Sequence, residues 1–258
     1  MFSRFFALVP GWLRSALPAF SLLAALLAAP ALAQTPGKTI VLINPNSNQN
    51  ATQSMTELAS QAAGEGVAVI GESNVDAPPL LTTPQDMINA ASGVVEIGRA
   101  AASDPSVGAI IVAAFSDPGL AELRAAVDLP VFGIGEEVFH EAARDGRNFA
   151  IVTVTPDEGL IESFRQKAAA LGYGAQYRGT RVTEGEPNEL VQNPDRLDAA
   201  LAEAVRVAVD QDGAEAVIMG GGPLSASALR LQPQFDEPLV VAVNAAARAA
   251  AAAILARD

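Results

Sequence analysis

Short unbroken apolar runs, rather than alternating ones, set the rhythm of this chain. They fall at 39–43, 67–71, 108–113, 130–134, 149–154, 216–219 and 239–243, with a more mixed run at 175–182. Runs of this length suit the strands of a parallel sheet covered on both faces. Between them apolar positions return at helical spacing, which predicts helices over 50–63, 85–102, 120–127, 135–143, 158–171, 196–211 and 244–257. Gly64 stands where the first helix should stop, and Asn44-Pro45-Asn46-Ser47-Asn48 is rich in turn-forming residues. Residues 77–84 and 187–193 read as loops. Strands and helices alternating through short connections predict an α/β fold with parallel sheets.

The second part of the pattern repeats the first. Pro45 and Pro156 are 111 positions apart, Ala114 and Gly221 are 107 apart, and Pro130 and Pro238 are 108 apart. A near-constant offset at three landmarks indicates duplication of a whole α/β unit, not a solenoid period. The expected architecture is two doubly wound parallel-sheet halves, 38–146 and 147–258, related by a pseudo-twofold axis, with the closing helix at 244–258 packing back on the first half. Ligands of such sheets bind where the carboxyl ends of the strands open into loops. The turn at 44–48 and the loops at 114–119, 153–156 and 220–225 would then surround one ligand cleft.

The first 33 residues stand outside this scheme. Arg4 and Arg14 flank the approach to a nearly all-apolar stretch at 17–27, and Pro30-Ala31-Leu32-Ala33 puts small residues at both positions a signal peptidase reads. This is the pattern of a secretory signal peptide cut after Ala33, followed by a short tail at 34–37. An uncleaved anchor is the competing reading, but the apolar core is short against the ~20 residues a span needs. The expected product is exported, periplasmic or secreted, with no membrane segment left. Losing two arginines moves the formal charge from −13 to −15. Such a balance argues against nucleic acid and anionic lipid as partners and says nothing about the charge of a pocket.

There is no Cys and one His, His140. Cysteine catalysis, thiolate-bound metals and a His-rich zinc site are excluded, and a Ser-His-Asp triad would have to use His140. Gly220-Gly221-Gly222 is followed by no phosphate-loop Lys and lacks the spacing of a dinucleotide fingerprint. No metal site is read.

Four segments carry a resemblance: Asn-Pro-Asn-Ser at 44–47, Phe-Ser-Asp-Pro-Gly at 115–119, Val-Phe-Gly-Ile-Gly-Glu at 131–136 and Val-Thr-Val-Thr-Pro at 152–156. In this order and spacing the set resembles the hydantoin racemase branch of the aspartate/glutamate racemase superfamily, over nearly all of 39–258. The resemblance implies two α/β domains enclosing a substrate, no cofactor, and two cysteines. One thiolate removes the proton beside a carbonyl, and the other thiol returns one on the opposite face. It also suggests a homo-oligomer. The two cysteine positions fall on Ala114 and Gly221, so the two-thiol mechanism cannot run in this chain. The resemblance places Asn46, Ser47, Thr52, Thr153 and Thr155 where a substrate carboxylate or ring carbonyls are held. Gly220, Gly221 and Gly222 would offer backbone N–H groups to an anion or carbonyl.

Asp117 and His140 are the ionisable candidates to replace the thiols. Asp117 also reads as a turn or cap residue before Pro118-Gly119. His140 follows Glu136 by four, so it is either one of a helix-face pair or an acid/base group reaching the cleft. Ser116 and Ser225 read as hydrogen-bond donors rather than nucleophiles, since neither has His or Lys nearby in sequence. Asn46 serves both as turn-former and as the best ligand contact. Two functions stay open: an isomerase-family enzyme with altered chemistry on an amino acid or hydantoin, or a non-catalytic exported binding protein that keeps the cleft.

Overall fold

The computed structural model describes residues 39–81, 84–220 and 224–257. The signal-peptide and tail readings at 1–37, and the positions of Gly221 and Gly222, lie outside these described residues. The order is β1 (Thr39–Asn44), α1 (Gln49–Ala63), β2 (Ala68–Ser73), α2 (Pro84–Ala102), β3 (Val107–Val112), α3 (Leu120–Ala126), β4 (Val131–Gly133), α4 (Ile134–Ala142). It then runs β5 (Phe149–Thr153), α5 (Glu158–Ala170), β6 (Tyr177–Val182), α6 (Pro187–Val191), α7 (Pro194–Asp210), β7 (Ala216–Met219), α8 (Leu224–Leu231), β8 (Leu239–Val240) and α9 (Ala242–Leu255).

Two all-parallel sheets result, ordered β2-β1-β3-β4 and β6-β5-β7-β8. The apolar runs at 39–43, 108–113, 149–154 and 216–219 are the inner strands β1, β3, β5 and β7, buried along their whole length, whereas those at 67–71, 130–134 and 239–243 form the edge strands β2, β4 and β8. β2 is not covered on both faces as its apolar run predicts, and neither is the more mixed edge strand β6. Local chemistry sets the helix starts. Asn48, Asp157 and Asn193 each accept a backbone N–H in the first turn of α1, α5 and α7, and Pro194 opens α7. Gly64 ends α1 at φ 81°, a conformation that suits a residue without a Cβ.

The duplication is visible bond by bond. Ala113 N–H donates to the Ile43 carbonyl and Gly220 N–H to that of Val152, both at 2.8 Å. Asn74 N–H to Asn44 is matched by Thr183 N–H to Thr153, and Ile110 N–H to Pro130 by Val217 N–H to Pro238. The loops that follow differ. Six residues separate Ala113 from α3, and three separate Gly220 from α8.

α4 and α9 join the two sheets. Ile134 packs with Ile40, Leu42 and Ile111 of the first sheet, whereas Val138, Phe139 and Ala142 pack with Phe149, Ile151 and Ile218 of the second. α9 lays Val243, Ala246, Ala247, Ala250 and Ile254 on the first sheet and on Ala59 of α1. Its run of alanines lets these elements approach closely. Two helices depart from the sequence reading. α6 forms inside the stretch read as a loop at 187–193, with Pro187 starting it and Leu190 buried. α8 forms where no helix was expected, because Leu224, Ala228 and Leu231 bury one face among serines. Among the described residues no helix is long and apolar enough to cross a membrane.

Candidate functional site

The carboxyl end of β1 is built around Asn44, which is fully buried. Its Nδ2 donates to Asn46 Oδ1 at 2.9 Å, to Thr52 Oγ1 at 3.0 Å and to the Asn48 carbonyl at 3.2 Å. Asn48 N–H donates to Asn46 Oδ1 at 2.9 Å. The Asn46 carbonyl oxygen is therefore consumed by the turn, and its amide N–H groups are what it can offer a ligand. Ser47 sits partly exposed beside it, its N–H directed to the Pro78 carbonyl at 3.3 Å. Thr52 does not fit the role of ligand contact. It is buried, and its hydroxyl meets Asn44, the Asn48 carbonyl and, at 2.6 Å, Ser73 Oγ on β2. It props the turn from below.

The loop after β3 carries Ala114 and is clamped by both halves. Asp117 adopts φ 51°, which aims its carboxylate inward. Oδ1 accepts the Gly135 N–H at 2.9 Å and Oδ2 accepts Lys167 Nζ at 2.6 Å. Lys167, on α5 of the second half, also donates to the Phe115 carbonyl at 2.9 Å and lies 5.6 Å from the Phe115 ring centre. The Asp117 side chain is 6% exposed and that of Lys167 24%. Burial pushes the Asp117 carboxyl up, while the Lys167 ammonium and the Gly135 N–H pull against it. The Phe115 ring stands edge-on to Phe164 at 5.3 Å and Phe139 at 6.1 Å, so the loop is plugged into the second half's core. This explains Val-Phe-Gly-Ile-Gly-Glu. A Cβ on Gly133 would collide with the Asp117 carboxylate, and one on Gly135 would overlap the Phe115 carbonyl and sit 2.6 Å from Lys167 Nζ. Ser116 is exposed and points its hydroxyl to Met87 Sδ at 3.3 Å.

In the second half, Thr153 ends β5 almost fully buried and its Oγ1 accepts the Thr155 N–H at 3.2 Å. Thr155 itself is exposed. Gly220 does not offer its N–H to a ligand, because that group completes the sheet by donating to the Val152 carbonyl. Ser225, in the first turn of α8, is partly exposed.

His140 is not at the strand ends. α4 runs back from the end of β4, and six residues along it is about 9 Å. There His140 Nδ1 meets Tyr173 Oη at 2.7 Å, in the connection before β6, at the opposite end of the second sheet from Thr153. Its other nitrogen is 3.8 Å from Glu136. Glu136 is itself 2.7 Å from Arg124. Ligand-type atoms of Glu136, Glu137 and His140 come within 4.8 Å of one another, but two of the three already have protein partners. Glu137 has the more unusual state: burial first, then the Glu136 charge, push its carboxyl up to about 7. Sequence reasoning overlooked Asn44, Lys167 and Glu137. Lys167 left one faint signal, being one of two lysines in a chain whose other cations are arginines.

Two like-ordered parallel sheets, with strand-end loops from both halves and a duplicated hydrogen-bond frame, define a pseudo-symmetric α/β protein built from two related parallel-sheet halves. The chain belongs to the Asp/Glu/hydantoin racemase family, whose model matches residues 40–250. It is 30% identical over 217 residues to a hydantoin racemase of Rhizobium meliloti, covering 83% of this chain and 87% of that one. A hydantoin racemase of Paenarthrobacter aurescens is 27% identical, with 82% and 89% covered. The solved allantoin racemase of Klebsiella pneumoniae superposes with a TM-score of 0.74 at 25% identity, over 85% of this chain and 89% of that one.

Proposed function

We propose that this chain is exported and binds a small cyclic ureide between the strand-end loops, without the two-thiol racemisation of its family. The observation that carries the reading is the chemistry of the candidate contacts. Asn46, Ser47, Ser116 and Thr155 are uncharged donors and acceptors, and the adjoining carboxylates are already engaged, Asp117 with Lys167 and Asp157 as the cap of α5. A cyclic ureide is a planar ring of alternating carbonyl and N–H groups, which such residues match. A zwitterionic amino acid would need a counter-charge on each side. The named relatives, hydantoin and allantoin racemases, carry ureides in their names. Loss of turnover is supported by Ala114 and Gly221 at the thiol positions and by the engagement of Asp117 and His140 elsewhere.

A second reading is favoured by Glu137. A carboxyl titrating at about 7 near the start of α4 has the acidity of a general base, which would make the chain an altered isomerase. One experiment separates them. The chain from Gln34 onward is incubated in deuterated water with allantoin, 5-substituted hydantoins and amino acids, and loss of the α-proton is followed by NMR beside thermal unfolding. Stabilisation by a ureide without exchange is the expected result. Exchange abolished by Glu137→Gln would replace binding with catalysis, and stabilisation by amino acids alone would overturn the ureide assignment.

A further inference from the structure

We infer that Lys167 is a positioning residue of the ligand site, acting across the two halves to fix the β3–α3 loop that carries Ala114. The inference rests on the ligand-binding reading above and adds a residue outside its set of contacts. Three observations converge on Lys167. Its ammonium donates to two groups of one loop, the Phe115 carbonyl and Asp117 Oδ2. Phe164, one turn earlier on the same face of α5, receives the Phe115 ring. The remaining oxygen of Asp117 is taken by Gly135 at the start of α4, so the carboxylate ties loop, α4 and α5 together.

The duplicated frame shows that this clamp is particular to one loop. The N-caps of α1 and α5, Asn48 and Asp157, are equivalent positions 109 apart, which sets Lys167 against Leu58. Leu58 packs among apolar residues, so α1 offers the second half no such cation. The first loop has three residues more than its counterpart, and Asp117 lies in that longer stretch. A six-residue loop has more conformations open to it than a three-residue one, and Lys167, holding Asp117 at φ 51°, is placed to remove that freedom. A site wall preset in this way binds with less ordering to be done at the moment of binding.

Lys167→Met alone would leave Asp117 buried without its counter-charge and could unfold the chain for that reason. The test therefore uses Lys167→Met with Asp117→Asn, which removes both charges and keeps an acceptor for the Gly135 N–H. Two measurements are made on the chain from Gln34 onward: hydrogen exchange of peptides spanning residues 113–120, and calorimetric titration with allantoin and 5-substituted hydantoins. The expected result is a folded double variant whose loop amides exchange about tenfold faster and whose ureide affinity falls about tenfold, the loss of one charge-assisted clamp. Asp117→Asn alone, which keeps Lys167 on the Phe115 carbonyl, should fall between the two. Wild-type binding with unchanged affinity in the double variant overturns the inference, as does unchanged loop exchange. If the wild type binds no ureide, the function above fails by itself, and the exchange measurement still decides the role of Lys167.

Discussion

Glu137 offers the sharpest quantitative test of the electrostatics. Its carboxyl is pushed from 4.5 to about 7 in the folded chain, first by burial and then by the neighbouring Glu136 charge. An unfolded chain releases this proton near 4.5, so between the two values the folded state holds more protons. Stability contributed by this group is therefore complete below about pH 4.5, falls as pH rises, and is lost above about 7. A shift of this size corresponds to an upper bound of ~3 kcal/mol, and partial exposure of the side chain reduces it to about 1–2 kcal/mol. Glu137→Gln removes the ionisation while keeping the shape. At pH 8 the variant should be more stable than wild type by about 1–2 kcal/mol, a rise in Tm of roughly 3–6 °C. At pH 4.5 the two should coincide. The only Trp, Trp12, lies in the proposed signal segment, so urea titrations of the chain from Gln34 onward are best followed by far-UV circular dichroism. Equal stability at both pH values, or a less stable variant at pH 8, would refute the reasoning.

Other expectations follow from the packing and the caps. Gly135→Ala should destabilise the chain by roughly 2–4 kcal/mol in denaturant titrations, because its Cβ has no room beside the Phe115 carbonyl and Lys167. Asn48→Ala and Asp157→Ala should each cost about 1 kcal/mol and add nearly independently, since the two caps share no partner. Intact-mass measurement of protein recovered outside the cytoplasm should give a chain beginning at Gln34; a full-length mass would refute the proposed cleavage.

Much of the fold was legible because the inner strands are covered on both faces and so must be continuously apolar. The repeat offsets carried the rest, since duplicated sheets keep their crossing points. α8 was hidden by Gly220-Gly221-Gly222-Pro223, which reads as loop, and by the serines interspersed among its two buried leucines and one buried alanine. The site was less legible. Thr52 does lie in the first helix and Gly220 at a strand end, but sequence position does not say whether a hydroxyl or an N–H faces outward or completes a turn or a sheet. Here Thr52 supports Asn44 and Gly220 continues the ladder. Of the two readings of His140, the helix-face pair with Glu136 is the one that forms, and its distance along α4 sets it beside Tyr173 rather than at the strand ends. Lys167 could not be tied to Asp117 by any local pattern, because the partners are 50 residues apart.

The placement of α9 has a consequence for the order of events in the cell. The last helix of the sequence fills the core beneath the first sheet, resting on Ile40, Leu42 and Ile111. The strands made earliest thus lack their cover until α9 has been made. A chain bearing an export signal of the kind proposed would stay loosely folded while it emerges and remain threadable through a translocation pore, then close its first sheet only once α9 has arrived.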